Sequence, residues 1–486
     1  MTIARTLARP VLAIALLSMS ANAQVTADKN VRLVPVIEHV DLVTDINVVG
    51  NTLYACTQPG LLLRKSLSSG STSDFSVFLD LRAQVGRLGT GIPSLPGLGY
   101  PTAETYDERG LLGFAAHPDF QSNGRFWVWY SNINDRSANP PGFFQWLVST
   151  TAPWDRSQYD HVDYLDEYRV VSGKPQFQRT VLKVKRPYFN HTGFQSLVWS
   201  PEHGTLVLGL GDGGSEYDPN NLAQDDRQLS GKLLKIDLAA LGDTNFAGKA
   251  PVAVFGDLKG DAKRAITSLA KGLRNPSKTT FEASGRGYIK YLANTGQDTI
   301  EFIHGFTDYG INFGFRPWEG IFPTAYQIDE ETRQIAFPLE ASRLPNFYRP
   351  LVEYTHVDPD LKPNANTGST LYRGDGIPGL EGQLVYIDWI SFFDPPTAPH
   401  GQLMHTAPNR GNLQQVQPTR LFNVDFSAAK RSNEPMFFTS INTDGDGERI
   451  FVGGFRDIQF ITNQRNNALG SAGLAGGVYE VKAGHR

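Results

Sequence analysis

Glu202-His203-Gly204-Thr205-Leu206-Val207-Leu208-Gly209-Leu210-Gly211 carries the pattern on which the fold turns: a glycine in a turn, then a short strand of apolar residues. The same pattern recurs at Val48-Val49-Gly50-Asn51-Thr52-Leu53-Tyr54-Ala55-Cys56, and again around Gly124, Gly287, Gly382 and Gly447. Glycine recurs because a tight hairpin turn needs positive φ, which costs a residue with a Cβ atom about 1 kcal/mol or more. The six glycines stand 74, 80, 83, 95 and 65 residues apart, so the units span nearly the whole chain. Repetition at this spacing predicts an all-β, six-bladed β-propeller, each unit a four-stranded blade packed face to face with the next. A large β-sandwich also uses such hairpins and is the other architecture open to this composition; the near-even spacing favours the propeller.

The ends of the chain fit that expectation. Gly477-Val478-Tyr479-Glu480-Val481 is the expected closing strand, pairing with an early strand around Val31 to Val36 to shut the ring. Residues 1–23 read as a signal peptide: Arg5 and Arg9 precede an apolar run, Val11 to Leu17, that ends in the small residues Ala21-Asn22-Ala23. That run is too short to span a bilayer, and no later segment reaches the roughly 18 apolar residues a membrane helix needs. A periplasmic or secreted protein is expected, with 24–486 forming a single propeller domain. Two Gly- and Pro-rich loops, Gly86 to Tyr106 and Gly242 to Leu269, interrupt the pattern where one face of a propeller would carry function.

Composition narrows the partners. A net charge of −4 leaves no electrostatic footprint for nucleic acid. The lone Cys56 precludes an intramolecular disulfide and a Cys-ligated metal, and reads as a core thiol. Forty-eight Gly and 30 Pro imply many turns between short strands.

The densest polar constellation runs from Asn190-His191-Thr192-Gly193 through a hairpin to Gly211-Asp212-Gly213-Gly214. A neutral imidazole at His191 can take a proton from a hydroxyl near pH 7, or serve as a structural hydrogen-bonder. Lys271-Gly272-Leu273-Arg274-Asn275-Pro276 follows, then Leu292 through Gln297-Asp298-Thr299 to Glu301. Arg274 offers a planar fork of donors, and the 296–299 turn offers carbonyls suited to a hard cation such as Ca²⁺; an Asn-Pro turn with a solvated arginine is the plainer reading. Asp444-Gly445-Asp446-Gly447-Glu448 is half a calcium loop by type but lacks the full spacing, and reads as a turn.

These motifs, with Glu108 through Phe120, Leu229 through Asp237, Asn312 through Gly320 and Leu371-Tyr372-Arg373-Gly374, stand in the order of the glucose/sorbosone dehydrogenase family. The chain resembles a soluble quinoprotein sugar dehydrogenase over about residues 40 to 390. The resemblance implies pyrroloquinoline quinone (PQQ) and Ca²⁺ in a central cleft. It makes His191 the base, Arg274 the stabiliser of charge on the quinone, Asn275 and Gln297 holders of the cofactor, and the Asp298 and Thr299 carbonyls the Ca²⁺ ligands. The substrate implied is a sugar or related alcohol, oxidised at the expense of an unidentified electron acceptor.

The chain departs from that family in two stretches. Pro435-Met436-Phe437-Phe438-Thr439-Ser440-Ile441 stands where an Arg-x-Arg-Asp-Val stretch binds quinone carboxylates, and Asp388-Trp389-Ile390-Ser391 where a lysine is expected. The Asp107-Glu108-Arg109-Gly110 segment is more similar to that of Hedgehog-interacting proteins, whose propeller points to the alternative function: cofactor-free binding of a carbohydrate or protein partner. A hydrolytic site on His191, Asp212 and Glu216 lacks any supporting nucleophile elbow or zinc motif.

Overall fold

The computed structural model describes the chain except residues 1–24, 26, 92–106, 142–152, 286, 298, 324–326, 329–334, 337–346, 357, 359, 360, 362, 364, 392–399, 432–433, 457–473 and 485–486. The signal-peptide segment, most of the Gly86 to Tyr106 loop and Asp298 therefore lie outside the described residues. Strand follows strand: β1 (Ala27–Val40), then a sheet of β2 (Val43–Val49), β3 (Thr52–Thr57), β4 (Leu61–Ser66) and β5 (Ser76–Asp80). A second sheet holds β6 (Leu111–Ala116), β7 (Arg125–Asn132), β8 (His161–Val171) and β9 (Lys174–Arg186). A third holds β10 (Leu197–Ser200), β11 (Thr205–Leu210), β12 (Lys232–Ile236) and β13 (Ile266–Lys271), and a fourth begins with β14 (Asn275–Ser284), β15 (Gly287–Thr295) and β16 (Ile300–Phe306).

Two-residue strands follow: β17 (Ile311–Asn312), which extends the third sheet, β18 (Trp318–Glu319), β19 (Phe322–Pro323), β20 (Gln327–Ile328) and β21 (Ile335–Ala336); β22 (Val352–Thr355) then completes the fourth sheet. The last strands are β23 (Asn366–Leu371), β24 (Leu384–Asp388), β25 (Gln402–Thr406), β26 (Arg420–Asp425), β27 (Met436–Thr443), β28 (Ile450–Arg456) and β29 (Gly476–Ala483). They join with β1 in one eight-stranded sheet, β23-β24-β25-β26-β1-β29-β28-β27.

The arrangement is all-β and propeller-like, but it differs from the expectation of six separate blades. Four sheets and the two-stranded pairs β18-β19 and β20-β21 stand apart, and the remaining strands form one continuous sheet because β1 is hydrogen-bonded on both edges, parallel to β26 and antiparallel to β29. The antiparallel pairing aligns Val34 with Glu480 and Pro35 with Tyr479, the closure read from the two ends of the chain. All six glycines of the repeat sit at the turn between the first and second strands of a four-stranded run, with φ from 58° at Gly50 to 123° at Gly287.

Adjacent sheets bury apolar faces against each other. Tyr54, Leu62 and Phe78 meet Phe114, Phe126 and Val128 between the first two sheets. Val207 and Leu233 meet Leu292 and Phe306 between the third and fourth. Ile37, Val478 and Phe451 meet Ile46, Leu53 and Leu63 where the last sheet faces the first. Cys56 is 1% exposed within the first of these clusters, and burial pushes its thiol pKa up, as expected of a core thiol. The segment expected as a loop from Gly242 to Leu269 carries the helix Gly260–Ala265 and the start of β13, because Leu258, Ala262 and Ala265 pack into the core with Ile236 and Leu241. Among the described residues no helix is long and apolar enough to cross a membrane.

The first strands contact one another in turn, β2 with β6, β6 with β10, β10 with β14, β14 with β23, β23 with β27, and β27 with β2. Polar side chains cross between them. Lys278 of β14 pairs with Asp45 of β2 at 2.9 Å. Gln195 takes its amide hydrogen bond to the Leu112 carbonyl (2.9 Å), donates Nε2 to the Thr367 carbonyl (3.0 Å) and accepts the Ile441 amide (3.1 Å). Leu33 of β1 lies in the core shared by the two halves of the eight-stranded sheet and is 1% exposed. Leu33→Ala is expected to cost about 2–5 kcal/mol, read as a lower urea midpoint; a loss under about 0.5 kcal/mol, the size of a surface substitution, would contradict the closure role of β1.

Candidate functional site

The cleft is assembled from the segments that lead into first strands: Glu108 before β6, His191 before β10, and Arg274-Asn275 at the start of β14. His191 sits at φ 55°, an uncommon conformation for a residue with a Cβ atom, between Asn190 and the Gly193 turn. Gly211 has no side chain because the His191 and Arg274 carbonyls pack against the space a Cβ would fill.

His191 is 2% exposed, and its Nδ1 lies 2.7 Å from Asp212 Oδ1. Its Nε2 has no hydrogen-bond partner among the described residues. Its amide donates to Glu108 Oε2 at 2.6 Å, and the same oxygen accepts Asn275 Nδ2 at 3.2 Å. Asn275 Oδ1 accepts the Gly193 amide at 3.1 Å. One buried carboxylate thus ties three sheets together beneath the cleft. Asp212 is locked in turn: its amide donates to the Arg274 carbonyl (2.7 Å) and its Oδ1 accepts the Gly214 amide (2.8 Å), while Oδ2 is buried with no hydrogen bond.

Arg274 donates Nε to Gln297 Oε1 at 2.8 Å, and its Nη2 is 4.0 Å from Glu216. Gln297 Oε1 also accepts the Tyr217 amide at 3.1 Å, and Gln297 Nε2 donates to Glu216. The turn at 296–300 is held from behind by Glu319 Oε1, which accepts the amides of Gln297 (2.9 Å), Thr299 (2.7 Å) and Ile300 (2.9 Å). The Thr299 carbonyl accepts the His356 amide at 3.0 Å, leaving one lone pair for a cation.

Electrostatics follow from burial. Burial, then the nearby Arg274 charge, pushes the His191 pKa down to about 3, because an enclosed imidazolium loses its water. Burial pushes Asp212 up to about 7, and raises Glu108 and Glu319 above the usual carboxylate range. The shifts of His191 and Asp212 agree in favouring an uncharged pair. Below pH about 7 the Asp212 carboxyl keeps its proton and faces Nδ1; above it, the carboxylate accepts Nδ1–H and leaves the Nε2 lone pair for a ligand.

The structure brings together His191, Arg274, Asn275 and Gln297, with Thr299 on the neighbouring turn. Sequence reasoning assigned no role to Glu108, Asn294, Glu319 or Arg186. Glu108, Asn294 and Glu319 stood inside the motifs, but their partners lay in other segments; Asn294 Oδ1, for instance, accepts the amides of Arg274 (3.2 Å) and Asn275 (3.0 Å). Arg186 stood in no motif, and its bond to the His191 carbonyl (2.7 Å) leaves no sequence signal. The Asp444 to Glu448 stretch is the turn expected, with the Gly447 amide on the Asp444 carbonyl at 3.0 Å.

The profile of the glucose/sorbosone dehydrogenase family matches residues 87–387. The chain belongs to that family. Among curated relatives, the HIPL1 protein of Arabidopsis thaliana is 26% identical over 371 residues, covering 70% of this chain and 49% of the relative. Human Hedgehog-interacting protein is 28% identical over 137 residues, 27% of this chain and 17% of the relative. The chain spans about half the length of HIPL1 and 42% of HIPL2. Of solved structures in the family's fold, the PQQ-bound aldose sugar dehydrogenase of Streptomyces coelicolor superposes with a TM-score of 0.56 at 14% identity, covering 95% of this chain and all of that one. The apo soluble aldose sugar dehydrogenase of Escherichia coli gives 0.54 at 16%, covering 94% and all of it. At these identities the likeness is one of fold.

The pair chemistry has a direct readout. At pH 5 the His191 ring is expected to carry one proton, where an ordinary imidazole carries two, as seen in long-range ¹H–¹⁵N spectra; a doubly protonated ring at that pH would refute the enclosed, neutral pair.

Proposed function

We propose that this protein is an exported, six-bladed β-propeller whose cleft binds an aldose or related polyol, and that His191 accepts the proton of one ligand hydroxyl, the deprotonation half of a sugar oxidation whose hydride passes to an external two-electron acceptor. The carrying observation is the His191–Asp212 pair at 2.7 Å, with Nε2 unpartnered beside Arg274. The blade count rests on the parallel β1–β26 seam, which divides the eight-stranded sheet into β23–β26 and β27–β29 with β1, and on the cycle of contacts among six first strands.

In this reading each group has one task. Asp212, ionised, holds Nδ1–H and so turns the Nε2 lone pair to the ligand. The terminal nitrogens of Arg274, which make no hydrogen bond among the described residues, stabilise negative charge on an oxygen. Glu108 and Asn294 fix the backbone of His191, Arg274 and Asn275.

The residues present match only part of the PQQ that the family implies. Arg274 and the open His191 nitrogen suit a quinone edge. The tricarboxylate end does not fit the described residues. Where the family places cations, Phe437 packs its ring on Trp389 at 4.9 Å, with Leu42, Ile390 and Phe455 around them. Arg449 is paired with Glu480 at 2.7 Å, Arg373 donates to the Phe281 carbonyl at 3.0 Å, and Arg456 to the Ala475 carbonyl at 3.4 Å. Each charge-assisted contact forgone is worth about 1.5–3 kcal/mol, so the described residues do not hold that cofactor's carboxylates. This same poverty of cations, with Glu108, Asp212 and Glu216 around Arg274, favours a second reading: ligand binding without oxidation, in line with the similarity to Hedgehog-interacting protein.

Titration calorimetry of the mature protein with a panel of aldoses and polyols tests the cleft, and dye reduction after addition of PQQ and Ca²⁺ tests turnover. Arg274→Ala is expected to weaken the best ligand about ten- to a hundredfold. Affinity is expected to rise as pH passes about 7, where Asp212 ionises, and Asp212→Asn to remove that rise. Dye reduction dependent on PQQ would overturn the cation argument; no binding by any polyol would overturn the cleft assignment.

A further inference from the structure

Behind the cleft lies a second set of charges, wholly enclosed and apart from the ligand face. Asp107, Arg109, Asp160, His161, Asp163 and Arg186 are each no more than 4% exposed. Arg109 donates Nε to Asp107 Oδ1 at 2.9 Å and Nη1 to Asp160 Oδ1 at 2.8 Å. His161 places Nδ1 2.9 Å from Asp160 Oδ1 and Nε2 3.1 Å from Asp163 Oδ1. Asp163 Oδ2 stands 3.4 Å from Arg186 Nε, and Arg186 Nη2 donates to the His191 carbonyl at 2.7 Å and the Gly211 carbonyl at 3.2 Å. The chain of alternating charge therefore runs from the segment before β6, through β8 and the end of β9, to the backbone of the cleft histidine.

Two features of that chain decide the state of His161. Both ring nitrogens face carboxylate oxygens, which accept and do not donate when ionised, so both must carry protons. The six enclosed groups also balance in that state: three carboxylates face two guanidinium groups, and the imidazolium supplies the third positive charge. A buried charge left without its partner is strongly unfavourable. The other groups facing this set are the Ser131 hydroxyl, 2.7 Å from Asp163 Oδ1, Ser230, 3.1 Å from Arg186 Nη1, and the part-exposed Arg136, 4.0 Å from Asp160 Oδ2; Asp212 acts on Arg186 from the cleft side.

We propose that His161 is a positioning residue: as an imidazolium it completes the buried chain Asp107–Arg109–Asp160–His161–Asp163–Arg186, which grips the His191 carbonyl and holds that residue at positive φ with its ring on Asp212. The role assigned to it rests on the reading of His191 as the cleft's proton acceptor. Burial pushes the His161 pKa down, and Asp163 and Asp160 more than offset it, so the value is raised. A raised pKa adds stability that is complete below the unfolded value of about 6.5 and is lost as pH climbs through the folded value.

The test reads protons and stability, not turnover, so an inactive protein with a doubly protonated His161 separates failure of the functional reading from failure of this one. Long-range ¹H–¹⁵N spectra of the wild-type protein at pH 7 are expected to show two N–H protons on His161; a single proton overturns the proposal without any variant. In urea unfolding, the wild-type folding constant is expected to fall by up to about tenfold per pH unit above pH 6.5 from this group, and His161→Gln to lose that slope and to be less stable at pH 6. Asp160→Asn combined with His161→Gln removes one charge of each sign, and is expected to recover part of the loss and to return the His191 ring signals toward their wild-type positions. Simple addition of the two single losses, or His191 signals that do not move in His161→Gln, would reject the charge-balancing role.

Discussion

A ring of sheets closes only where the two ends of the chain find each other, and that burden falls on β1. Unpaired backbone groups are costly when buried, and a bare edge invites other strands. β1 satisfies both of its edges, antiparallel to β29 and parallel to β26. Its apolar side chains, Ile37 and Val40 among them, then join Phe451 and Val478 in packing on the first sheet. Every distance in the cleft depends on this closure, because the cleft residues belong to segments far apart in sequence that meet only around a closed ring.

Within the ring, burial acts on two histidines with opposite results. His191 has one carboxyl partner that is itself reluctant to ionise, and a guanidinium nearby, so enclosure keeps its ring neutral. His161 is enclosed to the same degree but lies between two carboxylates held in place by arginines, so pairing more than offsets the cost of enclosure and favours the cation. The same cost of desolvation is left unopposed at His191 and is outweighed by fixed carboxylates at His161. Arg186 links them through the His191 carbonyl.

The cleft differs from a tricarboxylate site in kind. Its polar groups are carboxylates and amides, Glu108, Asp212, Glu216, Asn275 and Gln297, around Arg274, while Phe437 and Trp389 pack against each other in a buried apolar cluster. Family membership accounts for the propeller-like fold.

What the sequence by itself determined is the all-β repeat: glycine at six first-to-second-strand turns, apolar strands after each, and the pairing of the two chain ends, all set by local φ demands and alternation. His191, Arg274, Asn275 and Gln297 could be named from motif order because each sits beside a turn or strand start of recognisable type. Only the tertiary structure decided that the last eight strands form a continuous sheet, since that depends on β1 pairing in parallel with β26 almost four hundred positions away. It alone decided the roles of Glu108, Glu319, His161 and Arg186, buried charges whose meaning lies in partners from other sheets. A charged residue in sequence is by default a solvated one; enclosure by neighbours that the sequence does not place side by side is what turns it into a structural or chemical group.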